Sequence, residues 1–177
     1  NTGKAVNGIP VYRQGNTGNF AFVLDAPIKF PADSSSLFDP TEHDSSDEYN
    51  SIETLVFNNV DTSNVTDMGD MFAGCEHLKY IDVSNFDTSK VTRMYDLFYD
   101  CYDLEEIVGI NSWNVSNVQE LNYAFLSLAN LKTIDLSNWH LSSVTTMEDM
   151  FGGCQRLTSL KLGYVTSTAL TSVSSIF

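Results

Sequence analysis

Cysteine, histidine, carboxylate and tyrosine side chains are the groups in this chain that could ligate a metal, act as nucleophiles or anchor a partner, and their spacing separates those chemistries. Cys75, Cys101 and Cys154 lie 26 and 53 residues apart, and three cysteines cannot all pair within one chain. The remaining full copy of that position holds Leu128. A place that accepts leucine wants apolar volume, so the expectation is buried free thiols, with neither a metal site nor disulfides. Met68, Met71, Met94, Met147 and Met150 share the same stripe and read as packing residues. His43, His77 and His140 are scattered and present no Ser-His-Asp or Cys-His arrangement, so no catalytic residue is assigned and no enzyme is expected. Asp39, Glu42, Asp44, Asp47 and Glu48 crowd an insert at 39–50, but without the D-x-[DN]-x-[DN]-G spacing of an EF-hand loop. A solvated acidic loop is expected there, with calcium binding as the open alternative. No cofactor is implied.

Two groups of side chains could anchor a ligand. Tyr95, Tyr99 and Tyr102 fall at i, i+4 and i+7, which on a helix is one stripe about 100° round from the core stripe. Their counterparts are Gly69, Ala73 and Glu76 before them and Asn122, Leu126 and Ala129 after, so the core does not require tyrosine. Such aromatics either contact a partner or cover the seam between neighbouring units. Tyr80, Asp82 and Asp135, at outward positions of predicted strands, form the competing surface.

These residues are positioned by a repeat. Shifting the chain by 26 residues superposes Leu78 on Ile52, Ile81 on Leu55, Val83 on Phe57, Val91 on Val65, Met94 on Met68, Phe98 on Phe72 and Cys101 on Cys75. One residue is inserted near Gly109, so that Phe86 corresponds to Trp113 and Phe98 to Phe125, after which the 26-residue period resumes through Trp139, Met147, Phe151 and Cys154. About five units result, the last cut short at Ile176 and Phe177. In each, an alternating run (Leu78, Ile81, Val83) predicts a strand and the spacing of Val91, Met94, Leu97, Phe98 and Cys101 predicts a helix, with Thr145 and Glu148 at capping-box spacing. The fold class expected is therefore α/β: a leucine-rich-repeat-like solenoid of strand-turn-helix units over 34–177, its first unit degenerate and carrying the acidic insert, behind an N-terminal β cap at 1–33. The cap is read from a turn at Asn7-Gly8 and a strand-like run at Phe20 to Leu24. Asn59, Asn85 and Asn138, with Ser112 at the same phase, are expected as a polar ladder satisfying backbone groups.

The segments Val-Asp-Thr-Ser-Asn-Val-Thr-Asp-Met at 60–68 with Met71-Phe72-Ala-Gly-Cys75, Ile-Asp-Val-Ser-Asn-Phe-Asp-Thr-Ser-Lys-Val-Thr-Arg-Met at 81–94, and Ile-Asp-Leu-Ser-Asn-Trp at 134–139 with Met150-Phe151-Gly-Gly-Cys154 resemble the repeat of BspA-like leucine-rich-repeat surface proteins of Gram-positive bacteria and mycoplasmas. That resemblance, over about residues 34–177, implies a secreted or cell-wall-attached extracellular module that binds a host or neighbouring-cell surface protein or a glycan; a spacer without a ligand of its own is the alternative. The net charge of −14 over 177 residues disfavours nucleic acid and anionic membranes as partners. No apolar run suggests direct membrane insertion, and a monomer is expected. The chain starts at Asn1 without Met and reads as a trimmed piece of a longer protein.

Overall fold

Leu55, Phe57, Ile81 and Val83 alternate with outward-facing residues, and such short apolar runs bury their faces only by stacking copy on copy. A computed structural model of the chain describes residues 4–6, 9–11, 19–22, 28–40, 52–57 and 59–177. The Asn7-Gly8 turn, Asn58, and His43 with the rest of 41–50, including four of the five insert carboxylates, lie outside the described residues. The strands are β1 (Lys4–Val6), β2 (Ile9–Val11), β3 (Asn19–Phe22), β4 (Ile28–Lys29), β5 (Thr54–Phe57), β6 (Val60–Asp61), β7 (Tyr80–Asp82), β8 (Glu106–Val108), β9 (Thr133–Leu141) and β10 (Ser159–Val165). β1 and β2 form an antiparallel pair. β3, β5, β7 and β8 make one parallel sheet in the order β3-β5-β7-β8; β9 and β10 make a second parallel sheet, and β4 pairs with β6. Register follows the repeat: Thr54 faces Tyr80, which faces Glu106, and Leu55 faces Ile81, which faces Ile107.

The second half of the unit overturns the expected α/β class. Among the described residues there is no α-helix, and the molecule is a β-solenoid. The reason lies in where the backbone N–H groups go. Those of Met68, Asp70, Phe72 and Gly74 donate to the carbonyls of Arg93, Tyr95, Leu97 and Tyr99 in the next coil, at 2.8–3.0 Å. The intervening Met71, Ala73 and Cys75 donate three residues back, to Met68, Asp70 and Phe72. The segment is thus a series of β-turns laddered between coils, and the same pattern recurs from Met94 to Cys101. Each turn series needs two left-handed residues, Asp70 (φ 54°) with Gly74 (φ 69°), then Asp96 (φ 50°) with Asp100 (φ 57°), which no helix accommodates. Thr145 and Glu148 cap nothing: the Thr145 hydroxyl donates to the Gln119 carbonyl, and Glu148 accepts from Ser172.

The apolar stripe assigned to a helix is still the core. Val91, Met94, Leu97, Phe98 and Cys101 are all fully buried. Phe38, Phe72, Phe98, Phe125, Phe151 and Phe177 stack in one column, with successive ring centroids 5.2–6.0 Å apart. On the surface, Asp33, Asp61, Asp82 and Asp87 each accept the backbone N–H of the serine two residues on, fixing the corner of the coil. Asn85 performs the expected backbone role, donating from Nδ2 to the Phe57 carbonyl at 2.9 Å, and the Ser112 hydroxyl donates to the Gly109 carbonyl at 2.7 Å.

Candidate functional site

The sheet breaks where the repeat gains its extra residue. β7 and β8 pair through Asp82↔Val108, yet β8 does not pair with β9. In neighbouring coils the strand is entered through bonds from Glu105 to the Lys79 carbonyl and from Thr158 to the Lys132 carbonyl; no equivalent bond joins Lys132 to Glu105 among the described residues. Gly109 supplies the bend, at φ 87°, so close to Ser84 that a Cβ would run into the Ser84 backbone. A 3-10 turn, Ile110–Ser112, follows and takes up the slack. The turn is held from the core, where Trp139 Nε1 donates to the Ile110 carbonyl at 2.9 Å, and Trp113 just after it donates from Nε1 to the Val83 carbonyl of the preceding coil at 3.2 Å.

A crevice of about 230 Å³ results, lined by Glu105, Glu106, Ile107, Gly109, Ile110, Asn111, Thr133, Ile134 and Asp135. Ile107 shows the consequence. Its in-register partners Leu55 and Ile81 are fully buried, but Ile107 is only partly so. The floor is therefore apolar and the rim carboxylate. Asp135 Oδ2 pairs with Lys161 Nζ at 2.8 Å while Oδ1 accepts the Ser137 N–H at 3.0 Å. Lys161 first, then the Ser137 hydroxyl and N–H, hold the Asp135 carboxyl well below the usual carboxylate range. Beside the crevice, Tyr80 sits between Asp82 and Glu106; burial, then those two carboxylates, push its phenol up. Lys79 is paired with Glu53 at 3.3 Å. Glu105 and Glu106 have no ion pair among the described residues.

Of the six side chains predicted for binding, Tyr80 and Asp82 lie together on β7, opposite Glu106 and Val108 of β8, while Asp135 lies across the break on β9, paired with Lys161 of β10. Tyr95, Tyr99 and Tyr102 lie instead on the turn segment, and they are not a helical stripe. The Tyr95 ring fills the space above Gly69 in the preceding coil, so this tyrosine covers the seam. Tyr99 and Tyr102 are 37% and 40% exposed and flank Asp100, whose charge raises the Tyr99 phenol and whose hydrogen bond raises that of Tyr102. Glu105 and the isoleucine floor were missed by sequence reasoning; the signal that points to them is the inserted residue near Gly109.

The thiols donate to carbonyls of the phenylalanine column one coil back: Cys75 to Phe38, Cys101 to Phe72 and Cys154 to Phe125. Burial pushes Cys75 up to about 12 and Cys101 well above its ordinary value. Cys154, toward the open end of the array, is only half-buried. We therefore expect native thiol titration at neutral pH to label Cys154 first and Cys75 and Cys101 only in denaturant. Rapid native labelling of Cys101 would contradict the packing described. His77 Nδ1 lies 3.2 Å from Asp103, and His140 stacks on Tyr164. Among the described residues no group of three or more His, Cys, Asp or Glu side chains could hold a metal ion, and no helix is long and apolar enough to cross a membrane.

Residues 43–163 match a family described as "Mycoplasma protein of unknown function, DUF285", which is more than half of the chain. No curated protein and no solved structure matches the chain.

Proposed function

We propose that this chain, which belongs to the DUF285 family, is a rigid binding scaffold displayed at a bacterial cell surface, contacting a protein or glycan of a host or neighbouring cell through its parallel-sheet face. Surface display rests on the likeness of the repeats at 60–75, 81–94 and 134–154 to those of BspA-like surface proteins. The observation that carries the binding reading is the opening of the sheet beside Tyr80: a core position, Ile107, is left accessible where regular repetition would have closed it. Stacked coils give such a face stiffness, so a partner meets a preformed surface.

A spacer that holds other domains away from the cell wall is the second reading, favoured by the unbroken phenylalanine column. The two separate in a binding screen of the purified chain against mucins, matrix proteins and glycans. For a captured ligand, Tyr80→Thr, which installs the residue found at Thr54 and Thr133, is expected to weaken affinity by about tenfold or more, as loss of an aromatic anchor does. The triple change Tyr95→Asn, Tyr99→Leu, Tyr102→Ala is expected to leave affinity unchanged. The reverse outcome moves the site to the turn segment, and capture of nothing supports the spacer.

A further inference from the structure

The crevice at the sheet break is wedge-shaped, because the same coils remain paired elsewhere: Arg93 bridges Glu120, which bridges Thr146, without interruption. Two strands that stay in register on one side of the coil cannot part far enough on the other to admit a third strand, which needs about 4.8 Å on each flank. What fits is a side chain. At about 230 Å³ the volume lies below the roughly 300–1,000 Å³ of small-molecule sites, and suits one or two side chains presented by an extended segment.

Its chemistry narrows the choice. Ile107, Ile110 and Ile134 supply an apolar floor, and Glu105 and Glu106, exposed and without an ion pair among the described residues, supply charge at the rim. Asp135 adds its carboxylate but is already engaged by Lys161. A long cationic side chain lays its methylenes on such a floor while its head reaches the carboxylates. Arginine is favoured over lysine, since its planar guanidinium bridges two carboxylates and is more weakly hydrated. The net charge of −14 draws a basic segment toward this surface and repels an acidic one. We propose that the crevice between β8 and β9 is the docking point for an arginine side chain of a basic, extended protein segment. This names the partner chemistry of the sheet-face site and rests on that reading for its biological setting only.

The test uses the full chain, isotopically labelled, and the capped peptide acetyl-Ser-Gly-Arg-Gly-Ser-amide at low salt, with the same peptide carrying citrulline as its neutral isostere. Amide shifts are expected to concentrate at 105–111 and 133–135 with the arginine peptide. The citrulline peptide is expected to bind at least about tenfold more weakly, as loss of a charge-assisted hydrogen bond implies. Glu105→Gln with Glu106→Gln, both at exposed positions, is expected to reproduce that loss while the remaining spectrum stays that of the folded chain. Equal binding of both peptides, shifts centred on another surface, or a neutral oligosaccharide that shifts the crevice amides when the arginine peptide does not, would each overturn the proposal. A surface screen that captures no macromolecule, alongside crevice-centred shifts with the arginine peptide, fails the adhesion reading and leaves this one standing. A captured partner that competes with neither peptide does the opposite.

Discussion

Phe98→Ala is expected to lower the unfolding free energy by about 3 to 5 kcal/mol, and Phe177→Ala by under about 1 kcal/mol. Both rings belong to one column and have the same chemistry, so the difference isolates burial. Phe98 is fully buried between Phe72 at 5.2 Å and Phe125 at 6.0 Å. A cavity there is bounded above and below by coils held in place by the Phe72-to-Leu97 and Phe98-to-Ala124 backbone bonds, so the walls cannot collapse into it. Phe177 is 75% exposed and touches the column on one side through Phe151 at 6.0 Å. Because each coil contacts only its neighbours, a fault at Phe98 also uncouples the halves of the array, and a broadened urea transition is expected along with the lower midpoint. The buried Trp113 and Trp139 report the transition by fluorescence. Equal losses at the two positions would show that the array is not a linear stack of this phase.

The same column explains what the sequence does and does not disclose. The period, the inward set Leu78, Ile81, Val83, Val91, Met94, Phe98 and Cys101, and the register Leu55, Ile81, Ile107 are all readable from self-similarity, because stacking in register forces identical positions to meet. The helix was not there to read. Apolar residues at Val91, Met94, Leu97, Phe98 and Cys101 satisfy a helical period and equally a run of turns closing every three residues, so hydrophobic spacing cannot separate the two. The discriminating letters are polar: Asp70 and Gly74, then Asp96 and Asp100, occupy left-handed positions, and Asp and Gly are the residues that tolerate them, whereas they weaken a helix interior. A segment of about ten residues is also too short to sustain a helix alone, while each of its outward N–H groups finds a carbonyl in the next coil. Of the binding surface, Tyr80, Asp82 and Asp135 are legible as outward strand positions. That they flank an opening is legible only as an inserted residue, since whether an insertion bulges outward or splits the sheet depends on Gly109 meeting Ser84.

Gly109 is accordingly a place where a single methyl group is expected to have a large effect. Its φ of 87° costs an L-residue about 1–2 kcal/mol. An alanine Cβ would in addition drive into the Ser84 backbone, which is fixed by the Asp82 carboxylate and by the Val83-to-Val108 bond and cannot give way as a side-chain tip could. Overpacking of that kind adds about 1–3 kcal/mol, so Gly109→Ala is expected to lose about 2 to 5 kcal/mol in total. Deleting Gly109 removes the obstruction along with the residue. It brings Ile110 to the phase of Val83 and Leu136, restores the 26-residue spacing and lets β8 extend its ladder to β9, so the deletion is expected to cost less than the alanine substitution. Urea unfolding of the two variants side by side measures this. A stable Gly109→Ala protein would mean that Ser84 yields, and a deletion that unfolds the chain would mean that the extra residue is built into the fold. If the shortened chain is folded, it also lacks the crevice, and the amide shifts induced at 105–111 by the arginine peptide should vanish with it.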